Sequence, residues 1–374
     1  MTVGEMLEYL KTLPPEMEVV TYPPLGDSQN EAVPVGAALI AKTQTWDSSD
    51  MVLQTRLIWL PLLSATVPID KQTGDFNWLT IPFPVYASPK IDGFRAMVQR
   101  STLVSRNGLA VRNKELQARY GRPEYEGLDG ELTDGPPNGA DVFNRTSRVV
   151  TKADADAAAV RFNVIDYVPS KNAVPFSVGQ RISVLKANYG VRGSITASMP
   201  PIPQTLIKNI EALKAYEAKM LAQGYEGVML RRADQGAYPR KTSKSGKPLK
   251  ENRSTLTEFY LARLKRFEYG DAVIVSVSPL EHNVNEDRTA TGARSSKKAG
   301  QVVDAAGRVG SAMLRDWNTG KTFSTTIASE ALRTWQGWAD ERRWKGVKVR
   351  YKYQLIGSVN APRINTCSFA ELLP

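Results

Sequence analysis

From Ile81 onward the apolar residues come in short runs, each closed by glycine, proline or polar residues. Chains patterned this way fold into sheets joined by turns, with few helices. "VYASP", "FRAMVQRSTLVSRNG", "FNVIDYV" (Phe162–Val168) and "EGVMLRR" (Glu226–Arg232) read as strands, with a turn near Arg100–Thr102. The exception is "TLIKNIEALKAYEAKMLAQG" (Thr205–Gly224), with apolar residues at helical spacing and a terminal glycine. After "YLARLKRFEYG" come "DAVIVSVSPL", "GRVGSAMLRD", "KTFSTTI" and "KGVKVRYKYQLIG", with one tryptophan-rich helical piece. So many short strands in the last part of the chain predict a small β-barrel, with an OB-fold as the natural candidate. The polar stretch 283–300 between the first two of these strands is expected as a loop.

The N-terminal segment reads differently. Thr2 and Glu5 make a capping-box pattern, Val3, Met6, Leu7 and Leu10 share a helical face, and Pro14 and Pro15 end the helix. Strands are expected at 17–22, 37–43 and 51–60. The crowded Pro, Gly and polar residues of 67–80 read as a linker. At 374 residues the chain is long enough for two or three domains. We therefore expect a small α+β unit over 1–66, a linker over 67–80, a larger domain over 81–267 and a barrel over 268–374.

Charge separates the same parts. The chain carries a net +11, yet residues 1–65 hold three Lys/Arg against eight Asp/Glu, a net −5, which leaves +16 for the rest. A basic surface suits polyanions, nucleic acid first. One cysteine, Cys367, excludes an intramolecular disulfide and a cysteine-rich zinc site. One histidine, His282, excludes a multi-histidine metal site. No apolar run is long enough to span a membrane, and the N-terminus has no secretory pattern. A reducing cytoplasm is the expected setting.

The chemistry-bearing residues come in one order. "KIDGFR" carries Lys90, Asp92 and Arg95, "SRNG" carries Arg106, and "LDGELTD" carries Asp129 and Glu131. "FNVIDYV" carries Phe162 and Asp166, "YEGVMLRR" carries Glu226, and "LARLKRF" carries Arg263 and Lys265. A lysine with an ordinary pKa near 10.4 is almost all protonated at neutral pH and cannot attack a phosphate. Lys90 as a nucleophile therefore predicts a partly enclosed, cation-rich pocket.

As an ordered set these motifs resemble the covalent nucleotidyltransferases, and most closely the small phage- and bacterial-type ATP-dependent DNA ligases. "ENRSTLTEFYLARLKRF" and "RSSKKAG" add to the likeness, which runs from about residue 81 to the end. The resemblance implies an α+β fold, with a nucleotidyltransferase (adenylation) domain over 81–267 followed by an OB-fold barrel over 268–374. It implies that Lys90 takes AMP from ATP, passes it to the 5′-phosphate of a nick in double-stranded DNA, and that the 3′-hydroxyl then displaces AMP. Nucleotide contacts fall to Lys90, Arg95, Arg106, Glu131, Glu226, Arg263 and Lys265. The adenine face falls to Phe162 or Ile165. Glu131 and Glu226 are implied ligands of Mg²⁺ or Mn²⁺. Backbone contacts to DNA are expected from Lys244, Lys247, Lys250 and Arg253 in one basic loop and from Arg294, Lys297 and Lys298 in another. The expected protein is a monomer. An RNA ligase or a capping guanylyltransferase, using the same lysine chemistry, is the alternative. Three positions depart from the family pattern. Arg263 stands for a lysine, Ile165 for an aromatic residue before the strand aspartate, and Ser88 for the acid that often precedes the lysine.

Overall fold

The computed structural model describes residues 21–22, 52–53, 60–70, 73–139, 141–168, 176–191, 198–239, 251–286, 297–327, 330–334, 340–354 and 363–372. Two compact units are present, one of residues 1–60 with 242–250, the other of 61–241 with 251–374. In the first, β1 (Thr21–Tyr22) pairs antiparallel with β2 (Val52–Leu53), within two of the three segments expected as strands. The expected helix over 3–10 and strand over 37–43 lie outside the described residues.

The second unit begins earlier than the sequence suggested. β3 (Leu62–Leu63) and β4 (Ala65–Thr66) belong to its sheets. The stretch 67–80 is not a linker. Val67, Phe76 and Trp78 are buried in one core with Ile81, Val85 and Ala87. Its polar residues build a turn between these anchors: Gly74 N–H donates to the Asp70 carbonyl, and the Trp78 indole donates to Asp75 Oδ2 at 2.8 Å. The turn signals were real, but they join two buried pieces of chain rather than two domains.

β5 (Val85–Pro89) leads through Lys90–Gly93 into β6 (Phe94–Gln99), which turns into β7 (Thr102–Ser105). Arg100 and Ser101 both have positive φ, 51° and 57°, as a tight two-residue hairpin requires. That turn ordinarily favours Asn-Gly. Here the Glu126 carboxylate accepts from both turn amides and holds it. α1 (Lys114–Tyr120) is capped by Asn113, whose Oδ1 accepts from Leu116 N–H. β8 (Leu128–Asp134), α2 (Val142–Val150), β9 (Val160–Tyr167) and α3 (Val178–Val191) follow. The antiparallel sheet β7-β6-β8-β9 turns Ala96, Val98, Leu132, Phe162 and Val164 into one core with Leu116 and Tyr120 of α1, Val150 of α2 and Leu185 of α3.

The segment expected as one helix over 205–224 opens with a strand. β10 (Thr205–Ile207) pairs with β5, and Asn209 then caps α4 (Ile210–Ala222). The asparagine side chain accepts from Ala212 N–H and sets where the helix begins. β11 (Gly227–Arg232), β12 (Asn252–Arg253) and β13 (Ala262–Lys265) complete this half. The second sheet has the order β10-β5-β11-β13-β4, packed on Leu213 and Met220 of α4, with β4 parallel to β13. β12 pairs in parallel with β3.

Two residues, Arg266 and Phe267, separate β13 from β14 (Glu268–Pro279). β15 (Glu281–Asn283) and β16 (Gln301–Val303) pair as a short ladder, and His282 Nε2 lies 2.7 Å from Asp304 Oδ1, a structural contact. Then come β17 (Val309–Asp316), β18 (Thr322–Ile327), α5 (Glu330–Thr334), α6 (Glu341–Trp344), β19 (Lys348–Gln354) and β20 (Arg363–Leu372). Strands β14-β17-β18-β20-β19 form a closed barrel. Alternation along them places Ile274, Leu314, Phe323, Val349 and Tyr351 inside, around the fully buried Trp344. Most of the expected loop 283–300 lies outside the described residues.

Candidate active site

Three neighbouring strands of the second sheet end at one point. Lys90 follows β5, Glu226 precedes β11, and Lys265 closes β13. Lys90 N–H donates to the Gly227 carbonyl at 2.9 Å, and Glu226 N–H donates to the Lys90 carbonyl at 3.3 Å. Gly227 has φ +155°, and a Cβ there would lie 2.1 Å from the Leu264 carbonyl oxygen. Only glycine lets β11 approach β13 closely enough to bring the acid between the lysines.

The Lys90 ammonium bonds Glu226 Oε2, and Lys265 Nζ lies 2.7 Å from Glu226 Oε1. Gln354, at the end of β19, donates its amide to the same Oε1 at 2.8 Å. The barrel therefore contributes directly to the cluster. Only 2% of the Glu226 side chain is exposed. Burial alone pushes its carboxyl up, but Lys90 and then Lys265 overcome this and hold it at about 2. Burial also lowers the pKa of Lys265 against the pull of Glu226, with Lys90 adding like-charge repulsion. Lys90 thus lies in a part-buried cluster with one further ammonium group, that of Lys265, and one carboxylate.

Arg95 and Glu131 stand opposite each other on β6 and β8 of the first sheet. Arg95 makes a two-pronged contact with Asp129, Nε to Oδ1 at 2.6 Å and Nη2 to Oδ2 at 2.7 Å, and its Nη1 lies 3.8 Å from Glu131 Oε1. Glu131 Oε2 is buried and has no hydrogen-bond partner among the described residues. Burial is the main cause that raises this carboxyl to about 7. Arg95 and Lys90 oppose the rise, while Asp129 and Asp92 add to it. A buried carboxyl oxygen without a partner is able to accept from a donor or to ligate a cation.

The other expected residues divide. Arg263 lies on the same face as Lys265, and its Nε donates to Thr66 Oγ1 at 3.0 Å. Arg106 is exposed in the turn after β7. Phe162 does not face the site. It is fully buried in the first sheet's core, with its ring 5.6 Å from that of Tyr120. Strand alternation explains this. Phe162 and Val164 point into that core, whereas Asn163 on the other face donates to the Glu131 carbonyl and to Thr133 Oγ1. Ile165 is partly exposed, and the register of β8 and β9 shifts at this point. Arg253 sits on β12, where Nη1 donates to the Ser64 carbonyl at 3.2 Å. Lys297 and Lys298 are exposed. Lys244, Lys247, Lys250 and Arg294 lie outside the described residues.

Sequence reasoning missed Gln354, which lies 128 residues from its partner and carries no motif. It also missed how the quoted aspartates are used. Asp129 holds Arg95. Asp166 is buried between Arg181, at 2.8 Å, and Arg231, at 2.5 Å. Burial raises the Asp166 carboxyl, but the two guanidinium groups outweigh it and leave it lowered. This ion cluster joins β9, α3 and β11, so it fixes the two sheets against each other.

No protein-family model and no curated protein matches the chain. Solved structures do. A structure of Lig E DNA ligases shares 18% identity, with 83% of this chain and 98% of that chain covered and a TM-score of 0.54. The structure named Pmar-Lig_Pre shares 15% identity, with coverage of 83% and 67% and a TM-score of 0.55. A Chlorella virus DNA ligase-adenylate is 27% identical, with coverage of 83% and 97% and a TM-score of 0.45. What this chain has in common with the first two is the fold, a mixed α+β architecture that ends here in a closed barrel.

Proposed function

We propose that the chain is an ATP-dependent DNA ligase that seals nicks in duplex DNA through a lysyl-AMP intermediate on Lys90. The observation that carries the reading is the convergence of Lys90, Glu226 and Lys265, with Arg95 and Glu131 on the adjoining sheet. The fold shared with a Lig E DNA ligase supports it. On this reading residues 61–267, apart from 242–250, form the adenylation domain and 268–374 an OB-fold, with a hinge near Phe267–Gly270.

Lys90 Nζ bonds the α-phosphorus of ATP as the bond to the β-phosphate oxygen breaks, and pyrophosphate leaves. For this the Lys90 ammonium must first part from Glu226 and release a proton to solvent, since Glu226, held at about 2, does not retain one. Lys265, held beside the same carboxylate, supplies positive charge where the phosphate arrives. Arg95 and Arg106 bind nucleotide and acceptor phosphates, a task suited to the planar guanidinium. Arg263 lies within the same charged face. Ile165, rather than Phe162, covers the adenine. AMP then passes to the 5′-phosphate of the nick, and the 3′-hydroxyl displaces it.

A divalent cation, Mg²⁺ or Mn²⁺, fits Glu131 because its Oε2 is buried and open. It fits Glu226 less well, since both of that residue's oxygens already accept from Lys90, Lys265 and Gln354. When bound, the cation would neutralise phosphate charge and orient the leaving pyrophosphate. Among the described residues no group of three or more His, Cys, Asp or Glu is placed to hold a metal, so phosphate oxygens would complete the set. DNA contacts fall to the basic loops carrying Lys244, Lys247, Lys250 and Arg253, and Arg294, Lys297 and Lys298.

Radiolabelled ATP and GTP, offered separately, followed by nicked DNA and nicked RNA, test the assignment. Label from ATP and sealing of DNA are expected. Label from GTP alone, or sealing of RNA alone, would move the chain to the capping or RNA-ligase alternative.

A further inference from the structure

The Arg95–Asp129 pair does not stand alone. The Tyr238 hydroxyl donates to Asp129 Oδ2 at 3.3 Å, and the Tyr238 hydroxyl oxygen accepts from the Leu62 backbone N–H at 2.6 Å. Tyr238 is 8% exposed and Asp129 is fully buried. Its ring lies 5.7 Å from the Arg181 guanidinium, the group that pairs with Asp166. The tyrosine thus sits at the joint of two buried ion clusters, one ending at the candidate site and one joining the two sheets. Leu62 belongs to β3, the piece of chain that follows residues 1–60 and adds itself in parallel to β12.

We propose that Tyr238 is a positioning residue for nucleotidyl transfer, holding the Asp129 carboxylate, and through it Arg95, in the orientation that the phosphates of the nucleotide require. This deepens the lysyl-AMP reading and rests on it. Three features carry it. First, Asp129 uses both oxygens on Arg95, so a further donor at Oδ2 fixes the rotation of the carboxylate and with it the plane of the guanidinium. Second, the donor is itself fixed. Its oxygen is held by a backbone amide 176 residues away in sequence, and a buried hydroxyl between a donor and an acceptor has one orientation. Third, burial and then the neighbouring Asp129 push the Tyr238 hydroxyl far above its ordinary pKa, so it keeps its proton and remains a donor. Tyr238 touches neither Lys90 nor Glu226 among the described contacts. Among the described contacts its route to Arg95 runs through Asp129.

The test is a double-mutant cycle on the full chain, with Tyr238→Phe, Asp129→Asn and the double variant, read by the rate of label transfer from ATP and by melting temperature. Phenylalanine keeps the ring against Arg181 and removes only the hydroxyl. We expect Tyr238→Phe to slow label transfer about tenfold at saturating ATP, and to have no further effect once Asp129 is asparagine. The melting temperature follows structural loss and controls for it. A Tyr238→Phe protein that melts lower but labels at the native rate overturns the proposal. So does a slowing that is as large in the Asp129→Asn background as in the native one, because the hydroxyl would then act by another route. Native protein that takes no label from ATP contradicts the proposed function as well as this inference, and so separates the two failures.

Discussion

Glu226 and Glu131 are both buried carboxyls beside cations, and their pKa values move in opposite directions. Glu226 is buried but flanked by two ammonium groups, so it stays ionised, at about 2. Glu131 is buried with an open oxygen and weaker help from Arg95, so its proton is held to about 7. Between its ordinary value of 4.5 and about 7, the folded chain keeps a proton at Glu131 that the unfolded chain releases, and stability falls as pH rises through that window. Glu131→Gln removes this penalty. The variant is expected to match the native protein in denaturant unfolding near pH 4.5, and to exceed it near pH 7.5 by something on the order of 1–3 kcal/mol. An equal difference at both pH values would show that the carboxyl is not raised. A cation that competes with this proton should bind Glu131 more tightly at pH 7.5 than at pH 5.5.

At the scale of elements, the fold depends on a few polar side chains at strand and helix ends. Asn113 caps α1 with its oxygen, while its amide reaches the Ala155 carbonyl at 2.7 Å and the Val149 and Lys152 carbonyls at longer range. Asn113→Ala should cost about 1–3 kcal/mol in denaturant unfolding, a cap together with buried carbonyls left without a donor. A loss below about 0.5 kcal/mol would show that water replaces the amide. Much of this was legible in the sequence. The hairpin turn at Arg100–Thr102, the strand at 226–232 and the barrel strands follow from alternation and turn residues. What was not legible depended on tertiary partners. Thr205–Ile207 continues a helical pattern but lies beside β5, and Phe162 has an aromatic's chemistry but a strand parity that turns it into the core with Tyr120. The residues around Lys90 were readable because each brings a charge to a strand end. Gln354 and Tyr238 were not, since a neutral side chain gains its role only from the charged group it meets.

At the scale of the whole molecule, the boundary at the N-terminal side decides what can be removed. The reading of 1–66 as an accessory piece followed charge and turn composition, whereas β3 and β4 place residues 62–66 in the sheets of the second unit. Deletion of residues 1–60 is expected to leave label transfer from ATP within a few-fold of native. Deletion of 1–66 also removes Ala65–Thr66 from the edge of the sheet that carries Lys265, and the Leu62 amide from Tyr238. It is expected to lower the melting temperature by several degrees, an effect of about 1–3 kcal/mol on a unit of this size. Equal melting of the two truncated proteins would put the boundary back at 66.

The central claim is that Lys90 is the nucleophile, and that Glu226 and Lys265 serve it. Incubation of native protein and Lys90→Ala with ATP labelled on the α-phosphate, followed by denaturing gels and by a nicked duplex, tests this directly. The account predicts an acid-labile label on native protein, none on Lys90→Ala, and no sealing from ATP by the variant. A Lys90→Ala protein that still takes the label, or still seals the nick with ATP, would contradict it.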